Sequence, residues 1–474
     1  MNSVNIDFTN AIRPVKELHG VNNCPIRPNG SEACQTELKN IGAPYCRLHD
    51  TGGAWGLGHY VDIPNVFPNF DADENDPASY DFAFTDALLE GLWLSGVKPF
   101  YRLGVTIENT WKIKAYNIYP PKDFAKWARI CEHIVRHYNE GWADGFKWNL
   151  EYWEIWGEPE NPPLWQGTRE QYFELYRISA NHLKKCFPHL KIGGYGGCGF
   201  YAVDDDTCTD FFKSFITWFE DFVDFVTAPE TKAPLDFFSW HLYLDKRGPE
   251  RIDVHAKYVR EVLDRAGLTE TESLLDEWND CTYSWGKDSL GFDLMKEMPC
   301  AVSIAAAMAL MQKSSVDKAM YYDAQPTRAY CGLFYFPGSK GHFLTPTYFT
   351  FKAFNELYKL GTAVECTYEG ENIYAIAAKS ESDQGFYVVN RSNNEMPFQL
   401  NVKGASKPFI LHLLDETHRT LEPIGTWSAG EDIVLPPLSV VLFTTSGEIN
   451  TVTTPTSLKP KHAANGIEDP TERK

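Results

Sequence analysis

Positive charge is what this sequence has least of. Its 474 residues carry 44 Lys and Arg against 64 Asp and Glu, a formal charge of −20 at pH 7. Nucleic acid and anionic membrane both call for a basic surface, so neither is expected as a partner. A heavily sulfated polymer is disfavoured on the same ground, and a neutral sugar is the easier fit. No apolar run is long enough to span a bilayer. The 11 cysteines, an odd number scattered from Cys24 to Cys366, include no C-x-x-C pair. That pattern suits neither a disulfide framework nor a zinc site, and reduced, mostly buried thiols are expected instead. The opening MNSVNIDFTN has no basic n-region and no apolar h-region. A cytoplasmic location is therefore expected, with a periplasmic or secreted one standing if a leader has been removed. No cofactor and no metal are proposed, and no feature of the sequence speaks to oligomeric state.

What the chain does have is aromatics, 14% of residues with 14 Trp and 24 Tyr, and 43% hydrophobic content overall. Most of these rings must fill a core, but indole also stacks on the C–H faces of sugars. Eight short β-like runs alternate with helical stretches: ELHGVNN (17–23), APYCRLH (43–49), VKPFYRLG (97–104), YWEIWGE (152–158), LKIGGYGG (190–197), DFFSWHLY (236–243), ESLLDEWN (272–279) and KAMYYDAQ (318–325). The intervening segments, such as PKDFAKWARICEHIVRHY, are apolar at i, i+3 and i+4. Eight β–α alternations are what a closed (β/α)8 barrel requires. After Leu360 the texture changes to short alternating runs separated by Gly, Asn and Pro, the mark of an antiparallel β-sandwich. The expected organisation is an N-terminal strand over 1–16 that either joins the sandwich or does not, a barrel over 17–360, an accessory sandwich over 361–447 and a mobile tail over 448–474. Gly194, Gly196 and Gly199 satisfy G-x-G-x-x-G, but no suitable helix start follows, so a glycine-rich barrel loop is the better account.

Active residues of such a barrel gather at the C-terminal ends of its strands. Two glutamates stand there, Glu158 in WEIWGEP and Glu277 in LLDEW. Strict alternation puts Glu154 and Trp156 on the face of Glu158, and Leu275 on the face of Glu277. Glu154 is expected to pair with Arg47 of YCRLH inside the barrel. Glu158 and Glu277 are either buried ion-pair partners too or the two carboxyls that glycosidic cleavage needs, one to protonate the leaving oxygen and one to attack. Their strand-end positions favour the second. From the fourth and seventh barrel strands they would lie about 5–5.5 Å apart, the retaining geometry. Glu158 as general acid/base needs a raised pKa, which Trp156 would supply by desolvation. Glu277 as nucleophile must stay ionised, with Arg47 and Tyr243 as donors.

In this order, W-E-I-W-x-E-P, then H-x-Y, then E-W, the residues resemble glycoside hydrolase family 39, among the 4/7 retaining barrels. The HGVNN opening, the RLH of the second strand and the accessory sandwich are similar as well, over roughly residues 5–446. The resemblance implies that Glu158 is the acid/base and Glu277 the nucleophile. It also implies that His49, His241 and Tyr243 contact the sugar or orient the nucleophile. Family members act on β-xylosides, α-L-iduronides and other polysaccharides. The family's usual W-N-E-P reads W-G-E-P here, with Gly157 where an Asn is expected to bind the sugar 2-hydroxyl. Either another residue fills that role or the substrate differs at its 2-position, so an ordinary β-xyloside is not expected. Arg102 either holds a uronate carboxylate, as in a uronic-acid-specific hydrolase, or pairs with Asp50 or Glu108. Asp323 either bonds a sugar hydroxyl or caps a loop, Trp278 and Trp285 either stack on sugar or fill core, and His49 has a core alternative too. The rival of a different class is a carbohydrate-binding barrel without catalysis.

Overall fold

The computed structural model describes residues 2–23, 35–49, 61–106, 118–284, 289–326, 330–335, 344–447 and 449. Eight parallel strands close into a barrel: β2 (Glu17–Asn22), β3 (Tyr45–Leu48), β4 (Lys98–Leu103), β5 (Tyr152–Ile155), β6 (Lys191–Gly197), β7 (Phe237–Leu244), β8 (Glu272–Asp280) and β9 (Lys318–Tyr321). All eight β-like runs of the sequence appear in it. A first strand, β1 (Asn2–Pro14), lies outside the barrel. The fourth and seventh barrel strands are thus β5 and β8.

Helices cover the barrel because each carries one apolar stripe. In the helix Phe124–Asn139 the buried set is Trp127, Ile130, Cys131, Ile134, Val135 and Tyr138, and Asp123 caps its start by accepting from the Lys126 N–H. The helix Arg169–Cys186 starts with a Thr168/Gln171 capping box. One helix is different. Met298–Lys313 is buried on nearly every side, because it lies between the barrel and the C-terminal sheet, and its run of alanines allows both to approach closely. Tyr387 of that sheet donates its hydroxyl to the Ala305 carbonyl at 2.8 Å.

The C-terminal strands β10 (Thr362–Glu369), β11 (Ile373–Lys379), β12 (Gln384–Asn390), β13 (Met396–Lys403), β14 (Phe409–Leu414), β15 (Glu422–Trp427), β16 (Ile433–Leu435) and β17 (Ser439–Thr444) form one mixed nine-stranded sheet with β1. β1 runs antiparallel to β10 on one side and parallel to β13 on the other. The sheet curls on itself: Phe8 of β1 stacks on Phe409 of β14, with four strands between them in the sheet, at 6.0 Å. This curling gives it the two packed faces of a sandwich and its own core, including Val4, Ile6, Phe8, Phe386, Val388 and Phe443.

Inside the barrel the two ends differ. The end at the strand N-termini is plugged by Tyr45, Phe100, Tyr152, Phe237, Leu274 and Met320. The other end holds charge.

Candidate active site

β5 ends at Ile155, and the chain then turns through two non-glycine residues in the left-handed region, Trp156 at φ 73° and Glu158 at φ 46°. That conformation is strained for residues with a Cβ and is held by its surroundings. The Glu158 N–H donates to the carbonyls of Tyr195 and Gly196, which anchors the turn against β6. The turn corrects the strict alternation expected from sequence. Trp156 points outward, donating to the Leu164 carbonyl and packing against Trp127 and Trp165, while Glu158 enters the barrel mouth.

A second correction comes from β8. Its register slips against β7 between Trp240 and His241, and against β9 between Leu275 and Trp278. This bulge breaks the period of two, so Asp276 joins Glu277 among the interior charges, while Leu275 and Trp278 face the outer core. Trp278 is therefore core, with its ring edge-on to Tyr321.

The interior charges form one connected group. The donor atoms of Glu158, His241 and Glu277 all lie within 4.8 Å of one another. Glu277 accepts from the Tyr243 hydroxyl at 2.6 Å and from Arg47 Nη1 at 3.1 Å, with His49 Nε2 at 3.7 Å. Glu158 pairs with His241 Nδ1 at 2.8 Å and accepts from Asn161 Nδ2 at 3.0 Å. Burial alone would raise the Glu158 carboxyl, but the hydrogen bonds from His241 and Asn161 outweigh it and hold it below the ordinary carboxylate value. The raised value expected from Trp156 is thus not found, because that indole faces away. Arg47 Nε donates to Glu154 at 2.8 Å, the interior pairing expected from sequence. Burial would cost Arg47 its proton, yet the acidic groups around it, Glu154 and Glu277 among them, keep the guanidinium charged. Gly196, at φ 62°, is needed here: a Cβ would stand 2.8 Å from Arg47 Nη2. That accounts for one glycine of the G-x-G-x-x-G run.

Gly157 is different. Its φ is not in the left-handed region, and a Cβ would meet Arg47 Nη2 and His49 Cε1 at 3.5 Å, ordinary contact. Neither backbone nor space demands a glycine there. His49 is buried in the site wall, and burial, followed by the positive charge of Arg47 and Arg102, pushes its imidazole well below the usual value. Asp323 is buried beside the group, accepts from Asn23 Nδ2 at 3.0 Å and is pushed up to about 7 by burial.

Arg102 is not brought to the site. Its Nη2 donates to Asp62 at 3.0 Å and to the His49 carbonyl at 2.6 Å, and the side chain is fully buried. Among the described residues its acidic partner is Asp62, an acid the sequence did not single out. Trp285, Asp50 and Glu108 lie outside the described residues. The sequence reading missed Asp276, hidden by the bulge, and Asn161, whose only signal is its place three residues after Glu158.

Other donor clusters are engaged in hydrogen bonds. On the outer helices Glu132, His182 and Cys186 come together, but Glu132 is held by Arg136 at 2.7 Å and by His182 at 2.6 Å. Of His133 and His137, four apart, the first bonds the Arg129 carbonyl and the second bonds both Asp86 and the Trp142 carbonyl. Among the described residues no helix is long and apolar enough to cross a membrane.

A family model for glycosyl hydrolases family 39 matches residues 39–289. Over 217 residues the chain is 27% identical to a β-xylosidase of Geobacillus stearothermophilus, covering 44% of this chain and 38% of that protein. Over 174 residues it is 31% identical to a β-xylosidase of Caldicellulosiruptor saccharolyticus, covering 35% and 31%. The chain thus matches less than two fifths of the length of either curated relative. Among solved structures, a glucosidase from Croceicoccus marinus superposes with a TM-score of 0.72 at 21% identity, over 94% of this chain and 98% of that one. A family 39 β-xylosidase from Caulobacter crescentus gives 0.66 at 18%, over 94% and 99%. At these identities the two structures speak to the fold.

Proposed function

The chain belongs to glycosyl hydrolases family 39, and from that premise we propose that it cleaves O-glycosidic bonds with retention of configuration. The observation that carries this reading is the pair Glu158 and Glu277, with carboxyl oxygens within 4.8 Å of each other. Retaining enzymes hold their carboxyls about 5–5.5 Å apart, whereas inversion needs about 6.5–9.5 Å to admit a water.

The roles follow from the partners. Glu277 receives two donors, one of them cationic, which favours the ionised form a nucleophile must have. Its oxygen attacks the anomeric carbon while the leaving oxygen takes a proton from Glu158. The hydrogen bond from His241 favours the ionised form of Glu158. A bound sugar that excludes water strengthens the cost of that charge and draws the proton onto the carboxyl. In the second step Glu158 takes a proton from water, which attacks the glycosyl–Glu277 ester and restores both groups.

The relatives named above are β-xylosidases, but Gly157 argues against assigning a simple β-xyloside to this chain. Transition-state hydrogen bonds to the sugar 2-hydroxyl contribute strongly to such reactions, and no side chain is present at 157 to make one. The substrate is a poly- or oligosaccharide whose sugar is bound at that position by other groups.

The test is turnover of a panel of aryl glycosides and mixed plant oligosaccharides by wild type, Glu158→Gln and Glu277→Gln. Both variants should lose at least about three orders of magnitude in kcat, some 4 kcal/mol of barrier. Azide should restore cleavage to Glu277→Gly. A panel that binds but is not turned over by wild type would leave a carbohydrate-binding barrel instead.

A further inference from the structure

Asp276 has no place in the mechanism just given, yet it is fully buried against the residues that carry it. Its Oδ2 lies 2.8 Å from Arg47 Nε, but the single Nε hydrogen is aimed at Glu154 Oε2, also at 2.8 Å. Among the described residues no N–H or O–H donates to either Asp276 oxygen. An ionised carboxylate is an acceptor only, so a buried one left without donors is costly. Three carboxyls, Glu154, Asp276 and Glu277, share one guanidinium in a dry interior. If all were ionised, the group would hold two uncompensated negative charges.

We propose that Asp276 is held as a neutral carboxylic acid that gives its O–H to Glu154, and that it acts as a positioning residue for the nucleophile. Glu154 can receive it. Its Oε1 accepts from the Ser239 hydroxyl at 2.7 Å and its Oε2 from Arg47, the pattern of an ionised acceptor, and that Oε2 and Asp276 Oδ2 converge on the same Arg47 Nε, each at 2.8 Å. The two acids diverge as a proton-sharing pair should, with Glu154 held below the ordinary value and Asp276 pushed well above it by burial and by its acidic neighbours. The groups facing Asp276 are Arg47 of β3, Glu154 of β5, His241 of β7, whose Nε2 is 3.6 Å from Oδ1, and Glu277 beside it on β8.

The consequence for the reaction is electrostatic. With Asp276 neutral, Arg47 is shared between two anions only, Glu154 through Nε and Glu277 through Nη1. A second negative charge on the adjacent residue would favour protonating Glu277 and would remove the nucleophile. Asp276 thus braces the Glu154–Arg47 pair without competing for it.

The effect on turnover rests on the glycosidase reading, but the protonation state does not, so two measurements separate them. Infrared difference spectra of wild type minus Asp276→Asn at neutral pH should show the C=O stretch of a protonated carboxylic acid. Loss of a carboxylate band instead would overturn the proposal, whether or not any substrate is known. On a turned-over glycoside, Asp276→Asn removes no charge, so the acid limb of kcat/KM should stay in place. If Asp276 were ionised, its removal would move that limb down by about one pH unit or more. Asp276→Leu, which cannot hydrogen-bond, should lose about tenfold or more in kcat, with Asp276→Asn recovering most of it. Equal losses in both variants would also count against the proposal.

Discussion

The two ends of the barrel interior are built from the same eight strands and by opposite means. At one end six apolar and aromatic side chains, among them Phe237 and Leu274, close the barrel with no charged side chain in the plug itself. At the other, Arg47, Glu154, Asp276, Glu277 and His241 are equally buried and hold one another by charge and hydrogen bonds. Strands β7 and β8 contribute to both: Phe237 lies four residues before His241, and Leu274 two before Asp276. The difference teaches where stability and reactivity are kept apart. The apolar plug gains free energy from area removed from water. A buried ionic group rarely stabilises relative to a well-packed apolar one, so its persistence is better explained by what it does.

Substitutions can break this division. Phe237→Ala at the plug should lose about 3–5 kcal/mol of unfolding free energy, read by denaturant titration, while the folded fraction keeps its kcat. An equal fall in kcat would mean that the plug also holds the site in place. Asp323, beside the charged end, should show the opposite cost. Its folded value is raised to about 7 from 3.8, so the neutral acid is the form that folding favours. Its contribution is fully present below 3.8 and is lost as pH rises towards 7. Asp323→Asn should flatten the fall of stability over that window, by roughly 1 kcal/mol per pH unit, in melts taken at several pH values. Tyr243→Phe removes one hydrogen bond from Glu277 and should cost about 10–100-fold in kcat, about 1.4–2.8 kcal/mol, with little change in melting temperature. The smallest effect is expected at Gly157. An added Cβ fits, so Gly157→Asn should fold normally and raise turnover of a simple aryl xyloside by about tenfold, about 1.4 kcal/mol. No gain there would mean that the 2-position is already served by other residues.

The barrel was legible because each strand is a short β-branched or aromatic run set off by a helical period, and eight such units leave one architecture. Glu158 and Glu277 were expected at strand ends, and they meet at the barrel mouth from the turn after β5 and from three residues before the end of β8. What could not be read was everything that depends on a broken period. The bulge in β8 turns Asp276 inward, and two left-handed residues turn Trp156 outward. Neither leaves a mark in the pattern of residue types. The contact of Arg102 with Asp62 was illegible for another reason: the two are 40 residues apart in the chain.

The pairing of β1 has a consequence in time. Asn10 and Glu365 are hydrogen-bonded in the finished sheet and 355 residues apart in the chain. At about 5–20 residues per second, a ribosome takes roughly 20–70 s to make what separates them. For that interval Val4, Ile6 and Phe8 form an alternating apolar strand with neither neighbour yet made. The barrel has the chance to close first, and the nascent chain carries an uncovered sheet edge until β10 and β13 emerge. Newly made chains would then be most prone to associate before synthesis ends, and a holdase that shields the first strand would act earliest and longest on this protein.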